Sequence, residues 1–281
     1  MANRPPLGSE MIGPINRAVF KTWLVRSIPA HLLAWFHGWR FVWLLRRMKQ
    51  DPETHLLGAL VSSGDVAVDV GANGANWTWF LSRAVGQDGR VFAFEADPYY
   101  AQATSWAIRH MRLKNVTVFP FGLSNQVGTG WLRTHDDKGR RLSGTGFLDK
   151  DQTSDPRNTL VGLVTLDNLV GEHPELMKTR LLKCDVEGHE LFVFQGAETV
   201  ISTARPALVF ETGDNKTQEH RARNLWRWLK DRSYEMWAIA NDRRLVAVDD
   251  RLAHPDAGSD NRIALPTERL KDYQRRLPFR D

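Results

Sequence analysis

The sequence predicts an α/β fold organised around a mostly parallel sheet, and three observations carry that expectation. From about residue 53, strand-like and helix-like runs alternate with turn residues between them, the pattern of βαβ units. The run Val68-Asp69-Val70-Gly71-Ala72-Asn73-Gly74 reads as a strand that ends in an acidic, glycine-bearing turn and feeds a helix, which is how open α/β sheets grip a nucleoside. The predicted strands end at Asp69, Glu95, Phe121, Asp185 and Glu211, and acids at four of these five ends suit a hydroxyl-rich, cationic ligand. Ligands of such sheets bind beyond the carboxyl ends of the strands, so these ends should converge on one site.

Taken in order, 53–61 is a lead-in helix and 66–70 the first strand, with valine at alternate positions. A helix over 77–84 runs into the turn Gln87-Asp88-Gly89, and 90–95 is the second strand. A helix over 98–111 and a strand over 116–121 follow. Residues 125–160 form an insertion rich in glycine, serine and charge, with Trp131, His135 and the run Asp136-Asp137-Lys138-Gly139-Arg140-Arg141. Long irregular segments near strand ends tend to be binding loops or lids, so this one should help form the ligand pocket. Strand 180–185, helix 191–201, strand 207–211 and a helical pattern over 224–229 continue the alternation. Finally, 235–240 and 245–248 flank Asn241-Asp242 as a hairpin, so the sheet should finish with an antiparallel strand beside its last parallel neighbour.

A length of 281 residues, 42% hydrophobic and 25% charged, suits one large domain with attachments or two modest ones. The expected division is an N-terminal extension over 1–52, the α/β domain over 53–260 and a basic tail over 261–281 that packs on the body or extends from it. A single cysteine, Cys184, excludes an intramolecular disulfide and makes the cytoplasm the default compartment. Of the net charge of +5, residues 1–50 contribute +7, eight basic groups against Glu10, so the other 231 residues sum to −2. A nucleic-acid footprint would spread cations over the body, and no nucleic-acid partner is expected.

Residues 1–52 read as a basic, tryptophan-rich helical extension. Ser27-Ile28-Pro29 starts a helix that runs to Arg46, Arg47 and Lys49, whose charges suit its C-terminal dipole. His37 and Arg40 interrupt the apolar run before the ~18 uncharged residues a spanning helix needs, and no small-residue cleavage site marks a signal peptide. Trp23, Trp35, Trp39 and Trp43 with nearby cations suit the headgroup level of a membrane, so residues 17–49 could hold the protein peripherally at the inner membrane face. Ile28, Leu32, Trp35, Trp39 and Val42 fall on one helical face, which packing on the domain or oligomerisation explains equally well.

Gly71 and Gly74 permit close backbone approach to a ligand, and Asn73 tolerates left-handed geometry. Glu95 lies 21 residues after Gly74, at the end of the next strand, where an acid reaches ribose hydroxyls. A dinucleotide fingerprint would add a third glycine at Asn76 or Trp77, and none is there. The second strong element is Lys183-Cys184-Asp185-Val186-Glu187-Gly188-His189-Glu190.

Together with Phe94-Glu95-Ala96-Asp97-Pro98 and Gly122-Leu123-Ser124, these motifs make the chain resemble the FkbM family of S-adenosylmethionine-dependent O-methyltransferases over about residues 60–212. The resemblance implies a Rossmann-like class I methyltransferase fold with a mostly parallel seven-stranded sheet. It further implies S-adenosylmethionine as donor and a hydroxyl acceptor on a sugar, glycolipid or polyketide-type small molecule. Asp69, Gly71, Ala72, Asn73, Gly74, Glu95 and Ser124 are the expected cofactor residues, with Ser124 at the adenine edge. Methyl transfer requires alignment and a base for the acceptor hydroxyl, so Asp185, Glu187 and His189 form the expected catalytic group, with Asp185 or His189 as base. Glu187 and Glu190 could instead cap or charge-stabilise the following helix, a role as compatible with Glu190 as catalysis, and Cys184 is expected to be a small core side chain. Asp185 and Glu211, with Glu187, could also hold a divalent metal ion.

The chain departs from the family pattern in two places. Ala96 stands where the acidic motif usually has proline, and Trp77 and Trp79 are bulkier than the small residues expected after the glycine turn. Two other function classes are compatible with the sheet. An NAD- or nucleotide-sugar-dependent oxidoreductase would need a fuller glycine fingerprint and a Tyr-x-x-x-Lys relay. A non-catalytic, membrane-associated scaffold is opposed by the presence of Asp69, Glu95 and Asp185.

Overall fold

The computed structural model describes Trp39, Val42 and residues 54–142, 148–149, 155–212, 216–253 and 256–280. In chain order, the strands are β1 (Val66–Val70), β2 (Arg90–Phe94), β3 (Val116–Phe119), β4 (Gly122–Leu123), β5 (Gly128–Arg133), β6 (Leu148–Asp149), β7 (Asn158–Val164), β8 (Thr179–Cys184), β9 (Ala207–Glu211), β10 (Tyr234–Ala240), β11 (Leu245–Ala247) and β12 (Ala257–Pro266). The helices are α1 (Leu57–Leu60), α2 (Asn76–Val85), α3 (Pro98–His110), α4 (Leu166–Leu169), α5 (Glu190–Gln195), α6 (Glu198–Ala204), α7 (Lys216–Lys230) and α8 (Leu270–Gln274).

The main sheet has the order β11-β10-β12-β9-β8-β1-β2-β3. Its parallel heart is β9-β8-β1-β2-β3, and β1 is buried at all five positions because helices cover both faces. On one face Val68, Val70, Phe94, Leu182 and Phe210 pack with α5 to α7, where the Phe194 and Phe210 rings meet edge to face at 5.7 Å. On the other, Ala67, Val91, Leu181 and Val209 pack with α1, α2 and the C-terminal Tyr273 and Leu277. Pairing holds Val70 level with both Phe94 and Cys184, so the turns that follow β1, β2 and β8 leave the sheet side by side. That register brings residues 71, 95 and 185 to one place.

The sheet has eight strands rather than seven. The expected hairpin forms, with Trp237 opposite Ala247, but it lies at the edge. The antiparallel strand beside the last parallel one is β12, paired with both β9 and β10. Only Ile263, Ala264 and Leu265 give β12 a run of apolar residues, and its first half is mostly polar, so a hydrophobic pattern does not find it. The boundary placed at 260 therefore falls inside a central strand. Beyond β12, Tyr273 and Leu277 are buried and Phe279 meets Trp237 edge-on at 5.2 Å, so the described part of the basic tail is packed.

The insertion is also more regular than expected. β4, β7, β5 and β6 form a second sheet, in that order, whose inner face carries Leu132, Val161 and Leu163. Its charged run is a hairpin tip in which Asp136 accepts the N–H groups of Lys138 and Arg140. Strand β3 stops at Phe119 because Pro120 lacks an N–H, and the chain crosses to the second sheet at β4. The predicted 191–201 helix is broken into α5 and α6 at Gly196.

Most of the predicted N-terminal helix lies outside the described residues. Val42 is buried with Ala75, Ala107 and Ile108, while Trp39 is half exposed. No described helix is long and apolar enough to cross a membrane.

Candidate functional site

The turn after β1 is built by backbone approach. Gly71 has φ +81°, and a Cβ there would lie 1.9 Å from the carbonyl oxygen of Asp185, so only glycine lets the β1 and β8 turns touch. The N–H groups of Gly71 and Ala72 both donate to the Phe94 carbonyl. Asn73, at φ +31°, donates its N–H to Glu95 Oε2 at 2.8 Å, and Asp97 N–H donates to Glu95 Oε1 at 2.9 Å. Burial pushes the Glu95 carboxyl up to about 7 against the pull of these two donors.

A solvent-open cavity of about 770 Å³ lies between this turn and the one after β8. One wall holds Gly71, Asn73, Glu95 and Asp97; the opposite wall holds Asp185, Val186, Glu187 and His189. Glu187 itself adopts φ +54° and Gly188 φ +94°, and buried Glu190 holds this tight turn by accepting the N–H groups of Val186 and Gly188. Glu190 thus ties down the turn before its helix rather than capping the helix, whose first turn has no side-chain cap, and Cys184 is fully buried.

Six expected site residues line the cavity: Gly71, Asn73, Glu95, Asp185, Glu187 and His189. Asp69, Ala72, Gly74 and Ser124 do not. Asp69 is 1% exposed beneath the turn, its Oδ2 accepting the Thr78 hydroxyl at 2.5 Å, and burial raises its pKa to about 6. Its strand-end position pointed to ligand, but period-two alternation turns it under the turn toward α2. Ala72 is buried, and Gly74 donates its N–H to Thr104 Oγ1 at 3.0 Å. Ser124 is 3% exposed, with its hydroxyl oxygen 3.0 Å from His189 Nε2 rather than in the cavity wall.

Beside the cavity, Asp185, Glu187 and Glu211 bring carboxylate oxygens within 4.8 Å of one another. Lys183, 1% exposed beneath Trp77, places Nζ 3.1 Å from Asp185 Oδ2. Burial raises Asp185, but the Lys183 charge and a hydrogen bond with Glu211 outweigh it and hold Asp185 below the usual range. Glu211 is raised by that same hydrogen bond and then by burial, so it carries the shared proton. Glu187 is raised by burial and by the Asp185 charge. The Lys183 ammonium thus already pairs with one of the three carboxylates that a hard cation would need ionised.

The second sheet supplies a third wall, with Leu132, Thr134 and Leu142. It is tied across the cavity by the Arg141–Asp97 ion pair at 2.5 Å, by Arg141 over the Tyr99 ring at 4.4 Å, and by the Tyr100 hydroxyl donating to the Leu142 carbonyl at 3.0 Å. The insertion was expected to contribute here, but these particular residues were not. Asp97 had a readable signal, since an acid before Pro98 is a helix cap, and its Oδ1 accepts Tyr99 N–H at 2.9 Å.

Among solved structures, the chain is similar to a methyltransferase FkbM from Methylobacillus flagellatus at 17% identity and TM-score 0.49, covering 87% of this chain and 60% of that one. It therefore spans less than two thirds of that protein's length. It is also similar to a cofactor-bound protein from MTB (14% identity, TM-score 0.47, 92% and 99% covered) and to a SAM dependent methyltransferase from Aquifex aeolicus (13%, 0.40, 76% and 87%). No curated relative matches the sequence. The methyltransferase FkbM domain matches residues 69–236, from the strand that carries the glycine turn to the one paired with β12. With well over half of the chain inside that match, and the cavity-lining turns within it, this protein belongs to the FkbM methyltransferase family.

Proposed function

We propose that the protein is an O-methyltransferase that takes S-adenosylmethionine in the cavity between the β1 and β8 turns and methylates a hydroxyl of a sugar, glycolipid or polyketide-type small molecule. The observation that carries this reading is Glu95, whose buried carboxyl is clamped by Asn73 and Asp97 N–H groups in the wall of the cavity. Each oxygen accepts one backbone hydrogen and keeps a lone pair for a ribose hydroxyl. The donor supplies a methyl group on a sulfonium, whose displacement yields a thioether and a methyl ether.

The chain's own task is to align the acceptor and remove its proton. Asp185 is a weak base, because Lys183 and Glu211 stabilise it as an anion, and its role is to orient the hydroxyl as an acceptor. His189 lines the same wall, and a neutral imidazole has a ring nitrogen able to take the acceptor's proton. Glu187, raised by burial and then by the Asp185 charge, stands beside His189 in the same wall.

Calorimetry with S-adenosylmethionine and with NADH tests the donor: binding of NADH alone ends the methyltransferase reading. Incubation with methyl-labelled donor and a cell extract, then separated into lipid, glycan and small-molecule fractions, tests the acceptor. Label in protein or nucleic acid instead of these fractions would overturn the proposed substrate class.

A further inference from the structure

We propose that Ser124 is a positioning residue that fixes His189 in its Nε2–H form, as the last member of a hydrogen-bonded chain that starts at Gln195. The inference deepens the reading of His189 as base and rests on that reading for its catalytic consequence alone.

Ser124 is held as a fixed post. Its N–H donates to the Val164 carbonyl at 2.9 Å. From the other side, Gly196 packs onto its carbonyl so closely that a Cβ would lie 1.9 Å from the oxygen, so only glycine fits there. The hydroxyl is buried, with its oxygen 3.0 Å from His189 Nε2, and the imidazole is further fixed by stacking on Phe192 at 4.7 Å.

Either atom of the Ser124–His189 pair could be the donor, and the neighbours decide. Asn125 donates an Nδ2 hydrogen to Gln195 Oε1 at 3.3 Å, which turns its Oδ1 toward Ser124. Ser124 Oγ reaches that Oδ1 at 3.5 Å as donor. Its proton is thereby directed to Asn125, and its oxygen accepts the Nε2–H of His189. A neutral imidazole carries one proton, so Nδ1 is the basic nitrogen. The chain Gln195–Asn125–Ser124 runs from the surface to the cavity wall and sets which nitrogen of His189 can take a proton.

The test is long-range proton–nitrogen NMR of the full, nitrogen-15-labelled chain at a pH where the imidazole is neutral, with His189 assigned by its loss in His189→Gln. The wild type should show the Nε2–H pattern. Asn125→Ala, an exposed change that does not threaten the fold, frees the Ser124 hydroxyl to donate to Nε2 and should move the tautomer ratio about fivefold toward Nδ1–H, the worth of one hydrogen bond. Asn125→Asp restores an acceptor and should restore the wild-type pattern. Nδ1–H as the dominant wild-type form, or a ratio unchanged in both Asn125→Ala and Ser124→Ala, overturns the proposal. The spectra need no turnover. A protein that shows the expected tautomers but binds no S-adenosylmethionine keeps this inference and loses the proposed function, and the converse result does the opposite.

Discussion

Replacing Glu95 by glutamine separates the charge of this side chain from its shape. Glu95 is 8% exposed, and burial lifts its pKa from the ordinary 4.5 to about 7, with the Asp97 and Asn73 N–H groups opposing the shift. The folded-state value lies above the unfolded one, so between these limits the folded chain binds a proton that the unfolded chain has released. Stability from this group is therefore fully present below pH 4.5 and is lost as the pH rises to about 7. At about 1.4 kcal/mol per pH unit, the loss comes to about 3 kcal/mol. Glutamine does not ionise and has no such slope. It offers one acceptor oxygen where Glu95 offers two, so one N–H loses its partner at a cost of about 1–3 kcal/mol at every pH.

The slope, not the offset, is therefore the diagnostic quantity. Urea denaturation of both proteins from pH 4.5 to 8 should show the stability difference moving by about 3 kcal/mol in favour of Glu95→Gln, most of it complete by pH 7. Parallel curves would refute the burial-driven shift. In the proposed reading the same group holds the donor: ribose hydroxyls would donate to the ionised carboxylate, so wild-type affinity for S-adenosylmethionine should strengthen as the pH rises through 7, whereas Glu95→Gln should bind more weakly and without that dependence. Calorimetry across this range checks it.

Gly71→Ala forces φ +81° on an L residue and drives a Cβ into the Asp185 carbonyl oxygen, so thermal melts should show a loss of more than about 2 kcal/mol together with lost donor binding. Lys183→Met removes the ammonium that keeps Asp185 ionised. Methyl transfer should fall at least tenfold, and the acid limb of its pH profile should move to higher pH, because Asp185 then titrates nearer neutrality. Prolonged treatment with a chelator should leave methyl transfer unchanged within twofold, since Lys183 and a shared proton already compensate the carboxylates; a loss restored by magnesium would overturn that view. Ending the chain at 260 removes most of a central strand and should give insoluble protein, whereas a dispensable tail would leave its melting temperature intact.

The parallel half of the fold was readable because its strands are apolar on both faces, and its turns carry glycine and acid where backbones must meet. β1, β2, β8 and β9 lie within a residue of their expected spans for that reason. β12 escaped because a strand inserted late and flanked on both sides by partners needs only three apolar residues, Ile263 to Leu265, to be held. The second sheet escaped because the charges of its hairpin tip, residues 136–141, dominate the composition of the whole insertion. Both failures have one cause. Pairing energy comes from neighbours distant in sequence, and a local window does not see them.

In the site, residue type was a better guide than residue task. An acid at the end of a buried parallel strand has two stable uses: it can face the ligand, or it can turn beneath the loop and hold it. Glu95 faces the cavity, while Asp69 takes the second course and bonds Thr78 in the first turn of α2. Ser124 is likewise buried, its hydroxyl set against His189. A motif of touching turns requires such holders. Gly71 approaches Asp185 so closely that a displaced turn would push on its neighbour, and each turn carries a wall of the cavity. Residues such as Asp69 thus hold the loops that carry the cavity walls, and substitution at Asp69 should act through the geometry of Glu95 and Asp185 rather than through a lost ligand contact.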